Sequence, residues 1–179
     1  MNLLFVLHDR FAYSLNHIAS EILPLLARLV FASTLTLFFW RAAMTKLGDG
    51  FAGLFVPSIG AYAQVLPTRF EAAGYDPDAL GFLDWLIVFA GTWGEIILPI
   101  MIVLGLGTRL AAIGMMAFIL VMSYVDICAH GVIPGTMFDG DPTGIILDQR
   151  LYWGLALLIL LCHGAGKLSL DQFLYRFRK

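Results

Sequence analysis

From Trp85 to Val125 the chain carries no charge except Glu95 and Arg109. That stretch is long enough for two membrane-spanning helices, each of which needs about 20 mostly apolar residues. Gly107, Thr108 and Arg109 supply the turn between them. Apolar runs of similar character lie on either side, and the pattern predicts four spans, at residues 23–44, 85–106, 110–125 and 144–165. The whole chain of 179 residues is 60% hydrophobic and 13% charged, with a mean hydropathy of +0.84. Soluble domains are nearer 45–50% apolar and about 25% charged. A soluble chain this short cannot hide so much apolar surface, because it still exposes roughly a third of its unfolded area. The composition excludes a disordered segment and an ordinary soluble enzyme. A net charge of -2 gives no field for nucleic acid. The solvent is a lipid bilayer, and the fold class is an all-α integral membrane four-helix bundle.

The flanks follow from periodicity. Leu4, Leu7, Phe11, Leu15, Ile18 and Ile22 recur at three- and four-residue spacing, opposite Asp9, Tyr13, Asn16, Ser20 and Glu21. Residues 1–22 are therefore expected to form an amphipathic helix lying in the headgroups. No basic run or Ala-x-Ala site gives this segment the look of a cleaved secretory signal. Residues 47–81 are semi-apolar but broken by Gly48, Gly50, Pro57, Gly60, Pro67 and Pro77, which suits a cap or re-entrant piece over one face of the bundle. Residues 167–179 form a short basic tail, with Ser169 three residues before Gln172 as a capping box. Arg10, Arg109, Lys167, Arg176, Arg178 and Lys179 fall on one side of a four-span topology. The excess of basic residues on that side predicts that both termini are cytoplasmic.

Ionisable residues at membrane depth cost at least a few kcal/mol and ask for a partner or a purpose. Glu95 lies near the middle of its span, with Gly91, Thr92, Leu98 and Pro99 at helical spacing. The small neighbours turn it toward the bundle interior. Its partner is expected among the basic residues of the first helix, Arg28 or Arg41. Alternatively it is carried as the neutral acid, as a proton relay or a carboxylate for a ligand. Arg41, Lys46, Asp84, Asp126, Asp148 and Arg150 cluster at the outer ends of the helices and are expected to ring a polar crevice. Such a crevice suits a quinone head group or a small anion. Cys128-Ala-His130, with Met137 nearby, offers thiolate, imidazole and thioether, a set better suited to copper than to zinc. It lacks the repeated spacing of a structural zinc site. Two cysteines make no disulfide scaffold, and Gly105-Leu106-Gly107 lacks the strand that a nucleotide-binding turn requires.

Four pieces resemble the DoxX family of small four-helix bacterial membrane proteins. These are Ala27-Arg28-Leu29 leading to Thr45-Lys46-Leu47, Glu95 followed by Gly105-Leu106-Gly107-Thr108-Arg109, Leu151-Tyr152-Trp153-Gly154, and Gly164-Ala165-Gly166-Lys167-Leu168-Ser169-Leu170-Asp171. Ala42-Ala43 stands where relatives often have a glycine before the lysine. The resemblance implies an inner-membrane location and an association with redox systems that link quinone to thiol or thiosulfate chemistry. Another branch of the family accompanies copper-binding peptides, which leaves a non-catalytic accessory open. A small transporter is the third reading. The sequence offers no flavin, haem or cysteine pair as an electron carrier, so a redox role requires a partner or a bound cofactor; the chain is expected to associate with a partner protein or as a homo-oligomer in the membrane.

Overall fold

The computed structural model describes residues 3–177; Arg178 and Lys179 of the basic tail and the side chain of Leu4 lie outside it. Eight α-helices run in chain order: α1 (Leu3–Thr34), α2 (Thr36–Met44), α3 (Ile59–Val65), α4 (Pro67–Ala72), α5 (Phe82–Leu104), α6 (Thr108–Cys128), α7 (Arg150–His163) and α8 (Leu170–Phe177). Among the described residues there is no strand; one isolated bridge pairs Leu47 with Pro57. The four segments long and apolar enough to cross a membrane are Ile18–Met44, Phe82–Leu104, Thr108–Cys128 and Ile145–His163. Only 22% to 39% of each apolar window is buried within the protein, so most of it faces outward, as a lipid solvent requires.

The first span is α1 and α2 together. Leu35 separates them, yet its N–H reaches Phe31 O and its carbonyl accepts from Phe39 N, at 2.9 and 3.0 Å, so helical bonding passes through. The N-terminal amphipathic stretch is helical and runs without a break into the first span. It is the leading part of α1, because no turn residue interrupts the apolar stripe and Pro24 is accommodated. The Pro24 ring is fully buried, and Gly166 packs so closely on it that an added Cβ would lie 3.3 Å away. At 1.5 Å per residue α1 is about 48 Å long, well beyond the roughly 30 Å hydrocarbon core. Leu7, Phe11, Leu15, Ile18 and Ile22 remain exposed along it, an apolar stripe that the rest of the protein does not cover.

The main core lies where α1, α2, α5, α6 and α7 meet, around Phe31, Phe39, Ile102, Met115, Leu157 and Leu160. Small residues on α6 permit the close approach of α5: Leu98 fills the space beside Gly114, where an added Cβ would come within 3.0 Å of it. Phe39 meets Phe118 and Trp153 edge-on, with centroids at 5.8 and 6.3 Å, a geometry favoured by the ring quadrupoles.

The segment between the first and second spans folds as a cap. It holds two 3-10 turns (Ala52–Leu54 and Pro77–Ala79) and the short helices α3 and α4. Ala61, Tyr62 and Phe70 bury against Val88 of α5 as a small satellite core. Burial, and then the charge of Asp78, push the Tyr62 hydroxyl above its ordinary pKa. Trp93 Nε1 donates to Leu54 O at 2.9 Å, and Ser58 N donates to Lys46 O at 2.9 Å. The cap is thus pinned both to α5 and to the end of the first span.

Candidate functional site

Polar residues gather at the two ends of the bundle in different ways. At one end Arg28 is buried and donates to four backbone carbonyls. Nε reaches Ile102 O at 3.1 Å, Nη2 reaches Val103 O at 2.6 Å, and Nη1 reaches Ala165 O at 3.0 Å and Leu168 O. Ile102 and Val103 are in the last turn of α5, whose carbonyls have no partner within the helix. Gly105 then closes α5 in the left-handed region (φ 68°), with Gly105 N on Ile102 O and Leu106 N on Met101 O, the Schellman arrangement. A side chain there would be strained in φ and would collide with Ser169 Cβ at 2.6 Å and Arg28 Cζ at 3.0 Å. Asp171 returns from α8 to cap α6, accepting from Gly107 N at 2.6 Å and Thr108 N at 3.0 Å. Lys167 pairs with Glu21, and Ser169 Oγ accepts from Gln172 N at 3.2 Å, the N-cap half of the capping box expected of the tail. Arg28, Asp171 and Ser169 thus hold backbone, while Lys167 and Glu21 pair side chain to side chain.

The opposite end is built differently. Lys46 lies two residues past α2, and its side chain runs back along that helix, donating to Ala42 O at 3.3 Å. Side chains near a helix end lean toward its N-terminus, which carries the ammonium into the bundle. There it meets Glu95, at 2.9 Å to Oε1 and 2.8 Å to Oε2, with side-chain exposures of only 7% and 4%. The expected pair of Arg28 with Glu95 is therefore replaced. Arg28 binds α5 seven and eight residues further on, roughly 10 Å away along the axis. Arg41, the other candidate partner, is exposed and lies on a separate groove.

Beside this pair a cavity of about 550 Å³ opens between α5 and α6. Lys46 and Glu95 form part of its wall, Gly91, Gly94 and Gly114 give it width, and Asp126, His130 and Arg150 lie at one end. A Cβ added at Gly91 would meet nothing within 4 Å, so open space reaches the helix backbone next to Glu95. Ile87, Ala90, Ala117 and Val121 line the cavity and are exposed, giving it an apolar mouth on the lipid-facing side.

Arg150 enters the cavity wall through a π-helical turn, Ile145–Gln149, that precedes α7. Such turns shift the register of side chains and recur at functional sites. Its Nη1 donates to Ser123 Oγ at 2.7 Å, Nη2 pairs with Asp126, and its buried Nε has no acceptor. His130 Nε2 lies 3.2 Å from Gln64 O, joining the end of α6 to the cap.

Of the residues expected to ring a crevice, Lys46, Asp126 and Arg150 line this cavity, together with Glu95. Three others do not. Asp84 opens α5, pairing with Arg69 and accepting from Gly81 N at 3.3 Å. Asp148 accepts from Gly144 N at 2.9 Å and so caps the π-turn. Arg41 faces outward. The third span supplies most of the wall opposite α5. Cys128 is exposed, and among the described residues no group of three or more His, Cys, Asp or Glu is placed to hold a metal ion. Sequence reasoning missed Ser123 and Gln64, which carry no charge to flag them.

An all-α bundle of four apolar spans, with a buried ion pair beside an outward-opening cavity, defines a multi-pass integral membrane protein. The chain belongs to the DoxX family, whose model matches residues 23–125, more than half of its length. No curated protein and no solved structure matches it. The family match ends before the closing motif, Gly164 to Asp171, but the structure ties that motif to the matched region through Arg28 and Gly107.

Proposed function

We propose that this protein is the membrane-embedded component of a redox system, holding a quinone in the cavity between α5 and α6 while a partner protein supplies the electrons. One observation carries the reading: an apolar cavity open toward lipid leads to two ion pairs, the buried Lys46 with Glu95 and the half-buried Arg150 with Asp126. A quinone has the matching halves, an apolar tail that stays among helices and carbonyl oxygens that accept from an ammonium or guanidinium. The pairs are internally neutral, which suits an uncharged head better than a free anion. Reduction of a quinone takes up two electrons and two protons. Lys46 and Glu95 are the buried groups able to exchange protons beside the cavity wall. Cys128 ends α6 and Cys162 lies near the far end of the antiparallel α7, so they are at opposite ends of the bundle and form no thiol pair. The electron carrier belongs to a partner, and thiol or thiosulfate oxidation is the chemistry we assign to that partner. We place the protein in the bacterial inner membrane with both termini cytoplasmic, on the strength of its basic residues.

The test is a thermal-shift series on purified protein with a short-tailed quinone analogue, thiosulfate and copper. The quinone analogue raises the melting temperature of wild type, and the paired variant Lys46→Met/Glu95→Gln loses that rise. A shift with thiosulfate alone replaces the quinone reading by an anion site. A shift with copper alone, abolished by Cys128→Ser, replaces it by a metal-accessory role.

A further inference from the structure

Arg41 lies in the first span, three residues before its end at Met44 and so about 4.5 Å inside it along the axis. Its surroundings differ from those of every other cation at that end of the bundle. Lys46 has Glu95, Arg69 has Asp84, and Arg150 has Asp126. Among the described residues, Arg41 has no hydrogen-bond acceptor and no carboxylate partner, and it is exposed. A guanidinium left unpaired on an outward face near the edge of the bilayer takes its counter-charge from its surroundings.

Those surroundings have a defined shape. A second groove, of about 500 Å³, is lined by Thr34, Leu37, Phe38, Arg41, Ala42 and Thr45, successive positions on one face of the first span. The Thr34 and Thr45 hydroxyls donate within their own helix, to Val30 O at 2.6 Å and Ala42 O at 2.8 Å, so Arg41 is the groove's free donor. Leu37 is 59% exposed, and Phe38, Trp40 and Met44 are exposed around it. This apolar and aromatic setting is that of a helix end at the lipid interface.

We infer that Arg41 and the groove beside it bind an anionic phospholipid, with the phosphate on the guanidinium and an acyl chain along Leu37 and Phe38. A guanidinium grips phosphate oxygens through two parallel N–H donors, and a long basic side chain extends naturally from a span to the headgroup level. Charge decides between lipid classes. The groove carries one positive charge and no carboxylate, so a phosphatidylglycerol neutralises it. The ammonium or choline group of a zwitterionic lipid finds no acceptor there. This site is separate from the quinone cavity, although Phe38 and Ala42 border both.

The experiment uses the full chain purified in a neutral detergent, read by native mass spectrometry and by thermal melts. The probes are phosphatidylglycerol, phosphatidylcholine and inorganic phosphate. Wild type retains phosphatidylglycerol and is stabilised by it, but not by the other two. Arg41→Gln, which breaks no bond within the protein, weakens phosphatidylglycerol binding by about five-fold or more, the factor expected for one basic residue at a lipid surface. Arg41→Lys keeps part of the binding. Gly91→Leu, which fills the quinone cavity, and Arg176→Gln, which removes a tail charge, both leave it intact. The inference is overturned if Arg41→Gln binds phosphatidylglycerol like wild type, if phosphatidylcholine binds equally well, or if Arg176→Gln removes the effect. Stabilisation by inorganic phosphate that Arg41→Gln abolishes also overturns it, in favour of a soluble-anion site.

Discussion

Both ends of the bundle carry charged side chains and use them differently. At the Arg28 end the guanidinium and the Asp171 carboxylate bind backbone groups: carbonyls of α5 and of the closing motif, and amides at the start of α6. At the Lys46 end the charges bind one another, Lys46 with Glu95 and Arg150 with Asp126, and they do so along the wall of an open cavity. Backbone groups at helix ends must be satisfied whatever the protein does. A side-chain ion pair carries no such obligation, and replacing one with apolar residues of similar volume is often neutral. Charges that a fold does not need, placed beside a cavity it leaves empty, are where a ligand site is to be sought.

Removing the Arg28 side chain should have the largest effect. Arg28→Met removes four bonds from a charged donor, leaving Ile102 O only Gly105 N, and such bonds contribute about 1.5–3 kcal/mol each. The expected loss is roughly 4 kcal/mol or more, seen as little folded protein in detergent extracts. A variant that melts like wild type would erase the distinction between the two ends.

Lys46→Met comes next, because it strands a buried carboxylate, at a cost of about 3–5 kcal/mol. Adding Glu95→Gln should recover most of that stability in thermal melts. No such repair exists for Arg28, whose partners are backbone. If the double variant is no more stable than Lys46→Met alone, then the Lys46 end is as structural as the other. Asp171→Ala removes one cap from α6 and should cost about 1–2 kcal/mol, without altering ligand-induced shifts.

The fold was largely legible because lipid imposes a simple rule on sequence: four apolar runs, four spans, with Gly107 and its neighbours as an obligatory turn. The cap was legible from its prolines and glycines. Orientation of side chains was harder. Arg41 and Lys46 are close in sequence but fall on different faces, so that Arg41 points outward while Lys46 meets Glu95. Hydropathy cannot distinguish these positions. The fate of Lys46 depended on its side chain turning back along α2, and that of Arg28 on carbonyls from α5 and the closing motif, which are uncharged and silent in a sequence. The π-turn that sets Arg150 against Ser123 and Asp126 leaves no residue signature beyond Gly144 and Asp148.

The most direct test of a ligand site at the Lys46 end is Gly91→Leu, since its side chain enters open space beside Glu95. Replacing glycine within a helix removes an entropic penalty of roughly 0.5–1 kcal/mol, so the variant should melt at or slightly above the wild-type temperature. Titration with the short-tailed quinone analogue should then raise the melting temperature of wild type and leave that of Gly91→Leu unchanged. An undiminished quinone shift in a protein whose cavity is filled would contradict the account.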